Sequence, residues 1–216
     1  MKKLTAIALG LSFIPTVANA WWNPDWTFRK KIEVDVSDLA KQDAAGKPTN
    51  LQVLVRLHQG NFQYFTDTLP DGADLRFLAG DDKTPLAFHV EKYDPVADIA
   101  LIWVNMPRSE NSTASGPVTY EPIWMYYGNK KAAPGQTPAD AFGVNDALAY
   151  RYDEAQPKDK TAYGNNPAYS SVVMSPAGLM GPAAQFDGKA NILVPSSPSL
   201  RITPASGWTF STWIKI

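Results

Sequence analysis

Apolar residues in this chain come in short alternating runs, and proline, glycine or a polar cluster closes nearly every run within the length of one strand. Alternation places every second side chain on the same face of an extended backbone. A helix instead needs apolar residues three and four apart over a longer stretch. The 18 prolines work in the same direction, since each one removes a backbone donor and punctuates the chain. The fold class expected is all-β and antiparallel, with Asp140 to Leu148 as the best short helical candidate.

Phe28 to Val36 puts Phe28, Ile32, Val34 and Val36 on one face, with Lys30 among them. Leu51 to Leu57 repeats the pattern with Leu51, Val53, Val55 and Leu57. Shorter strands follow at Leu75 to Ala79 and Leu86 to Tyr93. Ile99 to Met106 is almost continuously apolar and reads as a central strand. Tyr120 to Tyr127 closes the series at Gly128-Asn129. About six short strands bounded by turns indicate a sandwich rather than alternating βα units. Trp103, Trp124, Trp208 and Trp213 fall in strands and are expected in cores.

The chain opens on Lys2 and Lys3, an apolar stretch from Leu4 to Val17, and Ala18-Asn19-Ala20. This reads as a secretory signal over residues 1–20, too short to span a bilayer. It points to a bacterial periplasm or cell envelope and makes Trp21 the first mature residue. Loss of Lys2 and Lys3 leaves 18 basic against 21 acidic residues, a net of −3. Such a balance gives no footprint for nucleic acid or anionic lipid. No later run is long enough to insert into a membrane. With no cysteine there is no disulfide framework, thiol nucleophile or thiolate ligand, so stability must come from apolar burial.

A Lys-, Ala- and Pro-rich passage marks a boundary, and 131–147 is read as a linker. The units expected are a sandwich over 21–130 and a second, incomplete one over 148–216. The stretch Gly207 to Ile216 alternates like a strand with no turn behind it, so the chain reads as the front part of a larger protein.

Several motifs in the first unit occur in order: Trp26-Thr27-Phe28-Arg29-Lys30-Lys31-Ile32, Val53-Leu54-Val55-Arg56-Leu57, Asp71-Gly72-Ala73-Asp74-Leu75-Arg76-Phe77, Glu91-Lys92-Tyr93-Asp94, Trp103-Val104 and Tyr126-Tyr127-Gly128-Asn129. Together they resemble the domain-of-unknown-function 2341 family over about 21 to 130. That resemblance implies an exported β-sandwich and brings no catalytic residues. Tyr150-Arg151-Tyr152-Asp153-Glu154, Asp159 to Asn165, Ala184 to Gly188 and Thr209 to Ile214 look like the first part of a laminin-G or concanavalin A-like jelly roll. Such modules bind glycans or protein surfaces, some with calcium. The tandem order is similar to the exported front part of MotA/TolQ/ExbB-type proton channel proteins. It implies a region tethered by a further C-terminal part.

Catalytic groups are not expected. The only histidines are His58 and His89, on separate strands and without helix-type ligand spacing. His89 and Glu91 lie two apart, opposite the Leu86-Phe88-Val90 face, and are expected at solvent. Ion pairing of Asp74 or Glu91 with Arg76 is the bland alternative to a carboxylate pair of the glycosidase kind. Asp81, Asp82 and Asp187 sit in oxygen-rich turns and are the calcium candidates, though Asp-Gly turns need no ion. No G-x-S-x-G or phosphate-binding glycine loop occurs. The candidate ligand-binding residues are Trp21, Trp22, Trp26, His89 and Glu91, where the tryptophans either stack on a sugar or cap the sandwich.

These readings lead to a non-catalytic exported region that binds or senses, with a glycan or an envelope protein surface as partner and no cofactor unless calcium. A carbohydrate-binding module and a polysaccharide-degrading enzyme of jelly-roll type are the alternatives.

Overall fold

The computed structural model describes residues 21–35, 50–107, 121–201, 203 and 207–215. The expected signal segment, residues 36–49 and residues 108–120 lie outside the described residues. Six strands build the first unit: β1 (Phe28–Ile32), β2 (Asn50–His58), β3 (Arg76–Leu78), β4 (Phe88–Asp94), β5 (Ile99–Pro107) and β6 (Ile123–Tyr127). They form two three-stranded sheets, ordered β1-β6-β3 and β2-β5-β4, and every ladder is antiparallel.

The alternation read from the sequence decides which side chains meet between the sheets. From β5, Ala100, Ile102, Val104 and Met106 point inward; from β6, Ile123, Met125 and Tyr127 do. Val55 and Leu57 of β2, Phe77 of β3 and Phe88 of β4 complete this core, and Phe62 and Phe65 close one end. Burying each large apolar side chain contributes about 1.5–3 kcal/mol. β5 is a central strand, as its continuous apolar run predicts, and so is β6.

Both central strands also have covered outer faces. Residues 21–26 lie over the β1-β6-β3 sheet, and Tyr126 beneath them is 0 % exposed. The other sheet is covered by 136–151. There the Thr137 N–H donates to Phe88 O at 3.0 Å, and the Gln52 and Asn105 amides donate to Ala141 O and Asp140 O. The helix candidate shrinks to one turn, Pro138–Ala141, because Gly143 follows at once and the Asp146 carboxylate accepts the Gly143 N–H in a turn.

Beyond residue 147 the ladders are short: β7 (Tyr169–Ser170) with β10 (Ile192–Leu193), and β8 (Val173–Ser175) with β9 (Ala183–Gln185). Leu148 to Tyr152 contributes only an isolated bridge, Tyr150 to Asp159. The strand expected over 207–216 is not formed in 207–215. Among the described residues no neighbouring strand pairs with it, and Trp208 and Trp213 stand 67 % and 73 % exposed rather than in a core. Trp103 and Trp124 likewise sit half-buried on outer faces.

Candidate functional site

Among the described residues, a polar cluster lies on each outer face of the sandwich. The first grows from β1. Arg29 is the outward neighbour of Lys30, and its guanidinium lies between two indoles, 4.9 Å from the Trp21 ring centre and 4.4 Å from that of Trp124. It pairs with the Asp82 carboxylate, which also accepts the Tyr126 hydroxyl at 2.8 Å. The Trp22 N–H donates to that same hydroxyl at 3.3 Å. Trp26 is buried, donates its indole N–H to Asp74 O at 2.6 Å, and lies under the Arg76 guanidinium at 5.0 Å. The structure therefore brings Trp21, Trp22 and Trp26 together, with Trp21 half in solvent. A cation held between indoles gains quadrupole attraction as well as contact.

The second cluster includes His89 and Glu91, and the expectation of a solvent face there is corrected. His89 is only 4 % exposed because Phe142 and Arg151, from the covering segment, lie over it. Glu91 is the bulge residue of β4, between Val90 and Lys92 in the register. A bulge re-aims its side chain and frees its carbonyl. Arg151 uses both: Nη1 donates to Glu91 Oε2 at 2.7 Å and Nη2 to Glu91 O at 2.8 Å. The same Nη1 faces His89 Nε2, and the Trp103 indole donates to Glu91 Oε2 at 3.2 Å. Burial first, and then the Arg151 charge, hold the His89 imidazole down to about 4. Two atoms here, His89 Nδ1 and Arg151 Nε, are buried without a hydrogen-bond partner.

The ion pairs expected with Arg76 are also corrected. Glu91 pairs with Arg151. Asp74 is fully buried and turns its carboxylate to backbone, accepting Leu69 N–H and Gly128 N–H, each at 2.7 Å. Arg76 donates to three carbonyls, those of Ala73, Leu75 and Ala133. Desolvation lowers its pKa below the usual guanidinium value while the Asp74 charge opposes that shift.

The calcium candidates have local work. Asp81 accepts the Lys83 and Thr84 N–H groups and the Thr84 hydroxyl, and these bonds hold its carboxyl below the usual range. Asp187 does the same for Lys189 and Ala190. Asp82 belongs to the Arg29 cluster. Among the described residues no group of three or more His, Asp or Glu could hold a metal ion. His58 accepts the Gly60 N–H at its own turn.

Sequence reasoning missed Arg29, Asp159 and Arg151 as organising residues. The Asp159 carboxylate gathers the Ala149, Thr161 and Asn165 N–H groups and the Thr161 hydroxyl, tying 149–166 into a knot behind Arg151. The Asp-x-Thr spacing of Asp159 and Thr161 was the available signal, since such carboxylates bond the backbone two residues on.

Among the described residues no helix is long and apolar enough to cross a membrane. No curated protein and no solved structure matches the chain. The span that carries Asp74, His89, Glu91, Arg151 and the Asp159 knot, residues 71–166, matches the family model of the domain of unknown function (DUF2341).

Proposed function

We propose that this chain is an exported, non-catalytic binding or sensing region of a larger bacterial envelope protein. The observation that carries the reading is the row of large apolar side chains facing solvent after the first sandwich. Tyr163, Tyr169, Val173, Leu179, Phe186 and Leu193 are all exposed, and Trp208, Phe210, Trp213 and Ile214 are more than 65 % exposed. Large apolar side chains left at the surface in such number support a contact with another protein surface or with further chain. The carboxylates of both outer clusters are meanwhile engaged in holding backbone and guanidinium groups. That supports a structural rather than catalytic use of them.

The finer reading places the region outside the cytoplasm as the front part of a MotA/TolQ/ExbB-type proton channel protein. It rests on the tandem order of the two modules and on the signal pattern at the N-terminus, which is a warrant by analogy. Mass and fractionation of the native protein test it, with an antibody to residues 21–130. A band far above 23.7 kDa in the inner-membrane fraction is the expected result. A soluble band near that mass would overturn the reading and leave glycan binding as the better account.

A further inference from the structure

We infer that Arg151, His89 and Glu91 form an acid-released latch that holds the 148–166 segment on the outer face of β4. The inference stands apart from the partner proposed above and concerns how the covering segment is kept closed.

The latch has one cationic arm and one neutral seat. Arg151 reaches from the knot to β4 and takes both Glu91 oxygens that face it, the carboxylate Oε2 and the carbonyl. Its side chain is 9 % exposed in this position. Its remaining contact is His89 Nε2. A guanidinium can only donate, so Nε2 must offer its lone pair and the ring proton must sit on Nδ1. The closed state therefore requires a neutral imidazole in one tautomer.

A proton taken from solvent onto Nε2 removes that lone pair and sets two cations in contact. Every group around the ring bears on this step. Burial, the Arg151 charge and, more weakly, the Lys160 charge resist protonation. The Asp153 charge and the Gln136 side chain favour it. Glu91 is already shared between Arg151 and the Trp103 indole. The Phe142 ring lies beside the imidazole, 6.2 Å from centre to centre. The seat thus cannot keep Arg151 once His89 is charged.

The closed state also holds local cost. Tyr152, next to Arg151, has φ of 57°, a left-handed conformation that a bulky residue seldom adopts. Arg151 Nε is buried without a partner. Opening relieves both costs, so the contact with His89 and Glu91 must keep them in place.

The direction with pH follows from a histidine whose folded value lies below its ordinary one. Closure is strongest about a unit above 6.5, weakens as pH falls through the window, and reaches its limit below about 4. Between pH 6.5 and 4 the open fraction rises about 80-fold, since the dependence flattens near each end of the window.

Nuclear magnetic resonance on the full chain tests the latch. At neutral pH the His89 ring should carry its proton on Nδ1, while His58 serves as the second histidine for comparison. Exchange of the Trp103 indole proton, corrected for its intrinsic pH dependence, should lose up to about 80-fold of protection between pH 6.5 and 4. In His89→Gln, whose amide oxygen still accepts from Arg151, that pH dependence should vanish. A His89 proton on Nε2 at neutral pH, a titration near the ordinary 6.5, or an unchanged pH dependence in His89→Gln would each overturn the latch. The first two readings use the wild-type chain and stand even if the variant does not fold.

Discussion

At the scale of single residues, buried charge in this protein serves the backbone. Asp74 is the clearest case, a carboxylate with no exposure that accepts two N–H groups from segments far apart in sequence, at Leu69 and Gly128. Removing it leaves two donors without partners away from water. Asp74→Ala is expected to cost about 2–4 kcal/mol, and Asp74→Asn less, since an amide oxygen still serves one donor. Urea unfolding midpoints of the two variants measure this, and equal losses would mean the charge matters more than the acceptors. Little of this was legible in the sequence. Asp74 lies two residues from Arg76, so the local pattern suggests an ion pair. Yet its carboxylate is taken by the Leu69 N–H just before it and by the Gly128 N–H, 54 residues on. His89 failed for the same reason: alternation correctly put it opposite Phe88, but the segment covering that face lies some fifty residues on.

Elements were more legible than sites. The six strands of the sandwich fall where alternation places them, because burial of one face fixes period and register together. The helical candidate and the last strand were not so fixed. A helical period needs length, and a strand needs a neighbour, and neither condition is local. Sheet order was equally hidden, since nothing in β6 itself says that it lies between β1 and β3. The end of β6 is a sensitive point. Gly128 has φ of 93°, and a Cβ there would come within 2.7 Å of the Phe28 ring. Gly128→Ala combines backbone strain with a collision against β1 and should destabilise by about 1–3 kcal/mol. Thermal unfolding reports it, and a loss well under that range would show that β1 moves aside freely.

Among the described residues, the closed core lies in the first sandwich, and the residues after 166 add none to it. Side chains such as Phe77, Ile102 and Met125 are buried between the two sheets, whereas Trp208, Phe210 and Trp213 stay 67–76 % exposed. Side chains that bury little contribute little to folding. Changing all three to Ser is expected to move stability by only about 0.5 kcal/mol or less. Sedimentation of the same variant should show less association than the parent chain. A large stability loss would mean that these residues already pack on a core, contrary to their exposure.

The central place of β6 has a consequence for how the chain is made. Its two sheet neighbours, β1 and β3, both precede it, and β1 waits from residue 28 until residues 123–127 arrive. A chain emerging N-terminus first can zip β4 to β5 early, since a short turn joins them. The opposite sheet stays unpaired until the end of the domain has emerged, with the tryptophans of residues 21–26 uncovered throughout. Synthesis of this protein therefore includes an interval with one sheet made and the other still open. In that interval the nascent chain is most exposed to proteases and most in need of a chaperone.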